Sequence, residues 1–447
     1  MSRVLLISTN LATTPYVVYP LGMAVIARAL NDSGHQVEQF DILAAENDTE
    51  ILKKMIAGFN PDFICFSLRN IDNTDSLSGD AGWYLEQARA TIAEIKTLSP
   101  APTIIGGPAF SLMPEAILEY LEADYGVVGE GEEALPRLLD EIRSGKQTPA
   151  IAKGVKPLTG EQFATPQFHP DILNFYRNRS GIANLQSKRG CPHHCHYCTY
   201  PELEGHRFRR RPPATVVDDI EYLIETHNID TLFFVDSIFN DNQGHHLAIA
   251  EEILNRNLKI RWSAFFRPAG LNLKDLQLLQ RSGLFAVESG SDALTETTLK
   301  GLGKGFSLND IFTTHKFCQE LKLPIAHYLI FGGPLETPVT LAEGIRNLDK
   351  LDGGVLFLFS GLRILPGTNL YQRALQEGVI TTETSLLRPT YYASPEIDSE
   401  IMNQKLTAAC KGRRQRLFPP TDALERMQIM QRFGFKGILW DQLVQPS

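Results

Sequence analysis

The stretch Gly190-Cys191-Pro192-His193-His194-Cys195-His196-Tyr197-Cys198 holds three of the six cysteines of the chain, at spacings of four and three residues. Thiolate sulfur is the usual ligand of iron–sulfur clusters, and three thiolates on a four-iron cube leave one iron free to bind something else. A zinc site would need a fourth protein ligand, which one of the three nearby histidines could supply. A disulfide is disfavoured, because the sequence shows no secretory signal. This cysteine loop, residues 190–198, therefore predicts a metal centre around which the fold is built.

The composition of the 447 residues narrows the class of protein. The net charge of −9 argues against general nucleic-acid binding. No apolar run reaches the roughly 18 residues needed to span a membrane, and residues 1–8 are typical of a strand rather than of a signal peptide. The other three cysteines are isolated, which fits a reducing compartment. We therefore expect a cytoplasmic protein of two or three domains, with no nucleic-acid partner and no membrane span.

Residues 1–147 alternate short apolar runs with helical patterns, which is typical of a doubly wound α/β domain. The pattern predicts five strands, at 4–8, 36–41, 62–67, 103–105 and 125–128, with helices at 21–30, 51–59, 83–98, 114–121 and 133–142. Such a sheet binds its ligand beyond the carboxyl ends of its strands. The candidate ligand contacts that follow these ends are Ser67, Arg69, Gly106, Gly107, Gly129, Glu130 and Gly131.

Residues 148–180, in which Pro, Gly, Thr and Lys are frequent, predict a linker. Residues 181–378 then give six strand-like runs, at 182–187, 231–236, 260–266, 285–289, 325–331 and 355–359, with helical patterns between or after them. Six such units predict a partial (β/α)6 barrel of the TIM type, with active-site residues at the carboxyl ends of its strands. Residues 379–447 predict a small helical C-terminal extension.

The C-x3-C-x2-C motif directly follows a strand-like run and resembles the signature of the radical S-adenosylmethionine (SAM) enzymes. The strand-end residues of the first domain, with Tyr19-Pro20-Leu21-Gly22, resemble the Rossmann-like cobalamin-binding domain found ahead of many radical SAM cores. Two further stretches, 332–337 and 365–368, are similar to the cobalamin-dependent branch of that family. The resemblance covers roughly residues 1–375 and implies a class B methyltransferase-like enzyme.

The resemblance implies a site for each cofactor. The three cysteines Cys191, Cys195 and Cys198 would hold a [4Fe–4S] cluster. In cobalamin-binding domains of this kind the Gly-Gly strand end lies against the nucleotide tail, so Gly106 and Gly107 are the expected contacts, with Ser67 and residues 129–131 beside them.

SAM carries an amino-acid group, a ribose and an adenine, which need a cation, acceptors for its hydroxyl and amino groups, and an apolar surface. Arg267 could hold the SAM carboxylate, although a structural ion pair is equally open to it. Tyr197 could flank the adenine, and Tyr328 could point into the barrel toward a substrate or pack in the core. The remaining candidates for SAM binding, from the ends of the second and fourth barrel strands, are Asp236, Glu288 and Ser289.

Cobalamin domains of the methionine synthase type carry D-x-H-x-x-G after the first strand, and its histidine binds cobalt. Residues 8–19 contain no histidine, so we expect cobalamin without a histidine lower ligand, and Arg69 is the candidate to lie beneath it. A guanidinium has no free lone pair for cobalt. Ser67-Leu68-Arg69-Asn70 resembles, more weakly, the tryptophan-methylating branch. Arg69 could instead cap a helix or pair with Asp72.

The function implied by the resemblance is transfer of a methyl group from SAM, via methylcobalamin, to an unactivated carbon of a small-molecule substrate. Arg69 and Tyr328 are the predicted catalytic residues, and a one-electron donor such as a flavodoxin or ferredoxin is the predicted partner. One alternative keeps both cofactors but performs a rearrangement or cyclisation without methyl transfer. A more distant alternative is a corrinoid-binding sensor or carrier in which the cluster is structural.

Overall fold

The structure, a computed structural model, describes residues 1–13 and 16–444, without the side chains of residues 80, 81 and 422–425. Its N-terminal strands are β1 (Arg3–Ser8), β2 (Gln36–Asp41), β3 (Phe63–Ser67), β4 (Thr103–Gly106), β5 (Tyr125–Val128) and β6 (Ile151–Lys153). All pair in parallel, in the order β2-β1-β3-β4-β5-β6. The chain reverses its direction of winding between β1 and β3, and such a point is where ligands bind.

The first sheet is covered on both faces. Its helices are α1 (Leu21–Asp32), α2 (Thr49–Phe59), α3 (Leu85–Leu98), α4 (Pro108–Leu112), α5 (Pro114–Leu121) and α6 (Gly131–Arg143). Val4 and Leu6 of β1 pack into one core with α1 and α6, whereas Leu5 and Ile7 pack into another with α2 to α5. Strands buried on both faces are typical of this architecture, and the predicted doubly wound domain is confirmed.

The sixth strand differs from the sequence analysis, which predicted five strands and a linker from residue 148. Residues 151–153 pair with β5 in parallel, from Gly126↔Ile151 to Val128↔Lys153. The strand has three residues and an exposed Lys153 at the sheet edge, so its side chains give no recognisable alternation. The predicted boundary at residue 147 stays a prediction, although the sheet extends beyond it.

The second sheet is parallel and forms the barrel. Its strands, with two short ribbons, are β7 (Ala183–Leu185), β8 (Lys188–Arg189), β9 (Arg209–Arg210), β10 (Thr231–Phe234), β11 (Arg261–Phe266), β12 (Leu284–Asp292), β13 (Ile325–Phe331), β14 (Val355–Ser360), β15 (Leu362–Arg363), β16 (Tyr391–Tyr392) and β17 (Arg416–Leu417). The sheet runs β7-β10-β11-β12-β13-β14-β17, and β8-β9 and β15-β16 are antiparallel pairs. Six of its strands are those predicted from the sequence.

Helices connect or follow these strands. They are α7 (Pro170–Arg179), α8 (Tyr200–Glu204), α9 (Pro213–His227), α10 (His245–Asn255), α11 (Leu273–Arg281), α12 (Glu296–Gly301), α13 (Leu308–Glu320), α14 (Pro338–Asn347), α15 (Asn369–Gln376), α16 (Ser399–Cys410) and α17 (Pro420–Arg432). Within residues 1–13 and 16–444, no helix is long and apolar enough to cross a membrane.

The C-terminal extension is part of the barrel as well as helical. Its β17 adds a seventh strand beside β14 through the pair Phe357↔Leu417. Trp440, fully buried, packs into the barrel interior with Phe233 and Phe357. Residues 445–447 of the predicted extension lie outside the described residues. Because the strand has only two residues, it gives no local pattern in the sequence, whereas Trp440 ends the apolar run Ile438-Leu439-Trp440.

A buried ion pair joins the loop after β3 to the barrel. Asp72 accepts a 2.8 Å hydrogen bond from Nε of Arg363, and both side chains are almost fully buried. Arg363 also donates to the carbonyl oxygens of Ile364 and Leu386. The pair removes Asp72 as the partner that the sequence analysis considered for Arg69.

We expect Arg363→Met to destabilise the protein by about 3–5 kcal/mol, because it leaves the carboxylate of Asp72 buried without a cation. Urea unfolding of the full chain measures the change. Arg143→Met, which removes an exposed ion pair to Asp140, is the matched control and should cost about 0–1 kcal/mol. Equal effects of the two substitutions would contradict the prediction.

Candidate functional site

A cavity of about 590 Å³ lies where the carboxyl ends of the first sheet face the barrel. The barrel side of its wall includes Asn184, Gln186 and Arg189. It also includes four residues just after the cysteine loop, namely Thr199, Tyr200, Leu203 and Glu204. The wall formed by the first domain contains every strand-end residue predicted there: Ser67, Arg69, Gly106, Gly107, Gly129, Glu130 and Gly131. The cavity therefore joins the predicted cobalamin edge to the cysteine loop.

Two buried amides line this cavity with unused hydrogen-bonding capacity. Asn184, which is fully buried, accepts a bond from the backbone N–H of Tyr19 at 3.1 Å, but its Nδ2 has no partner among the described residues. Asn10 likewise leaves its Nδ2 without a partner there. A buried donor without an acceptor costs free energy. The cavity thus favours a ligand with hydrogen-bond acceptors at its rim, and the amide carbonyls around a corrin ring meet that need.

The glycines of the cavity wall differ in why a side chain is absent there. Gly107 has φ of 103°, and a Cβ there would collide with the backbone of Leu68. Gly107 is therefore required by the close approach of two loops within the protein. A Cβ on Gly106 would meet nothing closer than a backbone oxygen at 3.9 Å, and one on Gly129 would meet nothing within 4 Å. These two positions leave room for a ligand.

Arg69 is half-buried and lines the cavity. No carboxylate of a described residue forms an ion pair with it, since Asp72 pairs with Arg363. Its charge reaches across the cavity, because it opposes the rise that burial causes in the pKa of Tyr200. Among the described residues that line the cavity, none is a histidine. The role of Arg69 stays a prediction.

Glu130 also lines the cavity, but its carboxylate is occupied. It accepts hydrogen bonds from Arg189 at 3.0 Å and from Arg209 at 2.8 Å, and Arg189 also pairs with Glu132 at 2.7 Å. Both guanidinium groups lie over the ring of Phe163. These ion pairs tie the strand before the cysteine loop to the first domain.

The cysteine loop carries the three thiols predicted to bind the cluster. Cys191 is buried, and Cys195 and Cys198 are half-buried. Burial raises the pKa of Cys198 to about 12, and the charges of Cys195 and Cys191 add to it. Iron supplies the positive charge that deprotonates such thiols. No three His, Cys, Asp or Glu side chains of the described chain surround one point as a single-ion site, whereas a cube takes each thiolate on its own iron.

Backbone contacts hold the cysteine loop in place. Gly190 has φ of 89°, and a Cβ there would collide with the carbonyl oxygen of Arg207. His196 donates its backbone N–H to Leu302 at 2.9 Å, and its Nδ1 lies 2.9 Å from the oxygen of Gly301. The loop is therefore fixed by the segment after α12 as well as by its own chain.

Asp236, predicted to bind cofactor, is buried and forms hydrogen bonds to the segment that leads to the cysteine loop. It accepts bonds from the backbone and hydroxyl of Ser187 at 2.7 and 2.5 Å. It also lies 3.7 Å from the ammonium of Lys188, a fully buried side chain that pairs with Asp241 as well. This carboxylate positions the strand that leads to the cysteines.

The other predicted SAM contacts are engaged within the barrel. Tyr197 donates to Asp292 at 2.7 Å, and Arg267 donates to the oxygen of Gly305. Ser289 belongs to a buried chain of hydrogen bonds that continues through Ser291, His327 and His315. Their roles toward SAM stay predictions.

Glu288 and Tyr328 face each other inside the barrel. Tyr328 donates to Oε2 of Glu288 at 2.8 Å, and Trp440 donates its Nε1–H to Oε1 at 3.1 Å. The ring of Tyr328 stacks on Phe357 at 5.0 Å. Burial raises the pKa of Glu288 to about 7. Both carboxylate oxygens are thus used by protein donors.

The sequence analysis did not single out several residues of this site. Lys304 and Asp292 flank Tyr197, Asn10 and Asn184 carry free donors, and Trp440 reaches Glu288. The only local signal was the glycine spacing around Lys304 in Gly301-Leu302-Gly303-Lys304-Gly305.

Comparison with protein families assigns both halves of the chain. The B12-binding domain family matches residues 7–139, and the radical SAM superfamily matches residues 185–347. The chain therefore carries a B12-binding domain followed by a radical SAM domain, as the sequence analysis predicted. The cysteine loop lies inside the radical SAM match, and the strand-end residues of the cavity lie inside the B12-binding match.

Curated relatives and a solved structure are similar to this chain over most of its length. The chain is 25% identical over 441 residues to tryptophan 2-C-methyltransferase of Streptomyces laurentii, covering 81% of this chain and 73% of the relative. It is 25% identical to hopanoid C-3 methylase of Methylococcus capsulatus, covering 70% and 60%. Its fold matches the radical SAM methyltransferase TsrM from Kitasatospora setae, solved with cobalamin and a [4Fe–4S] cluster, at TM-score 0.85 and 24% identity over 99% of this chain and 97% of that one.

The pKa of Glu288 predicts a pH effect on stability. Because its folded pKa of about 7 lies above its ordinary 4.5, the folded protein binds the extra proton between these values. The contribution of Glu288 to the free energy of unfolding is greatest below about pH 4.5. It falls by on the order of 3 kcal/mol as the pH rises through 7. Glu288→Gln should reduce this fall, measured by urea unfolding across that range. Gln at the exposed Glu115 should not, and an unchanged slope in Glu288→Gln would contradict the prediction.

Proposed function

We propose that this chain moves a methyl group from SAM to a carbon atom of a small, cell-derived molecule, using the cavity between the two domains as the place of transfer. The observation that carries the proposal is this cavity, which runs from the strand ends of the B12-binding domain to the residues that follow the cysteine loop. Methyl transfer between two cofactors and a substrate requires all three in one enclosed space.

The residues present suit the cofactors of this family. When bound, the cluster, SAM and cobalamin supply electron transfer and a transferable methyl group. Cys191, Cys195 and Cys198 would hold the cluster, while Asn10 and Asn184 would donate to acceptors on the corrin rim. Gly106 and Gly129 leave space for the cobalamin.

Arg69, which forms no ion pair with a described carboxylate, supports a cobalamin without a histidine ligand. Its guanidinium lines the cavity and would not bind cobalt, because it has no free lone pair. Its positive charge would disfavour a cobalt of higher valence by electrostatic repulsion.

The names of the relatives indicate small-molecule acceptors. The relative from Streptomyces laurentii is named for tryptophan, and the relatives from Methylococcus capsulatus and Rhodopseudomonas palustris are named for hopanoids. We propose a carbon without ordinary nucleophilic reactivity or an electron-rich ring carbon as the methylated atom. A one-electron donor of the flavodoxin or ferredoxin type would supply electrons to the cluster.

The test is a mass measurement on the full chain, reconstituted anaerobically with iron, sulfide and cobalamin. With SAM that carries a trideuterated methyl group, and extracts or tryptophan as acceptor, a product should gain one labelled methyl. The control is the variant with Ala at Cys191, Cys195 and Cys198, which should lack iron and product. A product of altered skeleton without the label would favour the non-methylating alternative and contradict the proposal.

Arg69→Ala should open the lower face of bound cobalamin to small ligands. The wild-type cob(II)alamin form should show no nitrogen superhyperfine splitting in its paramagnetic resonance spectrum, with or without imidazole. Arg69→Ala should gain that splitting when imidazole is added, and its methyl-transfer rate should change. Arg69→Lys keeps the charge but loses the planar group, and we expect intermediate behaviour.

Arg143→Ala, on the exposed face of α6, is the matched control for loss of an arginine. If Arg69→Ala matches wild type both in its spectrum with imidazole and in turnover, Arg69 is a structural residue.

A further inference from the structure

A buried lysine lies beside the cysteine loop without a role in the site described so far. The side chain of Lys304 is 9% exposed and forms an ion pair with Asp292, which is 7% exposed. Its Nζ donates to the hydroxyl of Tyr197 at 3.3 Å and lies 5.1 Å from the centroid of that ring. Tyr197 stands between two of the cluster ligands in sequence, so this ammonium is anchored to the loop itself.

Lys304 and Asp292 both contact the cysteine loop through one hydroxyl group. Tyr197 donates its hydroxyl to Asp292 at 2.7 Å and accepts a hydrogen bond from the ammonium of Lys304 at 3.3 Å. The ion pair therefore lies directly against the cysteine loop, and its ammonium places a positive charge beside Tyr197, the neighbour of Cys198 in sequence.

The backbone is shaped to hold this ion pair in place. Asp292 adopts φ of 60°, a left-handed conformation that is strained for a residue other than glycine, and the pairing of β12 with β13 shifts register just before it. Gly303 has φ of 70°, and a Cβ there would meet His196 and the carbonyl of His194. Both ends of the ion pair are thus fixed by local backbone geometry against the cysteine loop.

We infer that Lys304, held in place by Asp292, raises the reduction potential of the cluster bound by the cysteine loop. In the reduction one electron passes from an external low-potential donor to the cluster, and no bond forms or breaks. The cluster becomes more negative by that electron, and an ammonium in a water-excluded setting stabilises the added charge. The inference goes beyond the proposed function, because it requires the cluster but neither cobalamin nor a methyl acceptor.

The experiment is a redox titration of the anaerobically reconstituted full chain, with the reduced cluster counted by paramagnetic resonance. The variants are Lys304→Met, Lys304→Arg, Asp292→Asn and the double variant Lys304→Met/Asp292→Asn. Lys300→Met, four residues away on α12 and exposed, is the control for loss of one positive charge. Iron content is measured for each variant, so that only proteins with a full cluster are compared.

We expect shifts of opposite sign. In Lys304→Met the ratio of reduced to oxidised cluster at a fixed potential should fall at least about tenfold, which equals roughly 59 mV for one electron. In Asp292→Asn the ratio should rise, and in the double variant it should fall by less than in Lys304→Met. Lys304→Arg and Lys300→Met should keep the wild-type midpoint.

Two outcomes would overturn the inference. The first is a midpoint in Lys304→Met or in the double variant that equals that of Lys300→Met. The second is a shift of the same sign in Lys304→Met and Asp292→Asn, which would indicate a structural role of the pair. If Lys304→Met fails to assemble a cluster, the sign of the shifts in Asp292→Asn and the double variant decides. None of these results bears on methyl transfer, which is measured separately.

Discussion

Arg189 ties the two halves of the protein together through buried charge. Its guanidinium lies at the start of the cysteine loop and pairs with Glu130 and Glu132 at a strand end of the B12-binding domain. A buried charge must keep its partner, since separating them leaves an uncompensated ion. This contact therefore holds the cysteine loop against the cavity, and the pair Asp72–Arg363 holds the loop that carries Arg69 in the same way. The cysteine loop and the loop of Arg69 are each positioned by a charge from the other sheet's side of the cavity.

The parts of the fold that depend on local pattern could be predicted from the sequence. The order of strands and helices, the cavity at the strand ends and the cysteine loop follow from periodicity and spacing within short windows. The short strands β6 and β17 could not be predicted, because two or three residues carry no periodicity and their pairing is set by distant neighbours.

The candidate site also has a part that could be predicted from the sequence and a part that could not. Residue positions at strand ends were predictable, but their partners were not, since each partner is far away in sequence. Glu130 and Asp236 were predicted as ligand contacts, and the structure gives their carboxylates to Arg189, Arg209 and Ser187. Gly107 is an example that involves the backbone. A glycine is required there because the chain passes close to Leu68, which follows another strand. A residue type at a strand end marks a site, whereas its task depends on what the fold brings beside it.

Two side chains that lie outside the radical SAM match, one on each side of it in sequence, complete the packing of the barrel interior. Tyr16, from the loop after β1, packs on Phe233 with ring centroids 5.9 Å apart. Trp440, from the C-terminal extension, reaches Glu288 in the centre. Without Tyr16 and Trp440, the aromatic rings around Glu288 would no longer be covered. The carboxylate of Glu288 would then lie in an apolar core without the contacts that offset its burial. The barrel is therefore not a separable unit, which agrees with relatives that match this chain across 81% of its length rather than across the barrel alone.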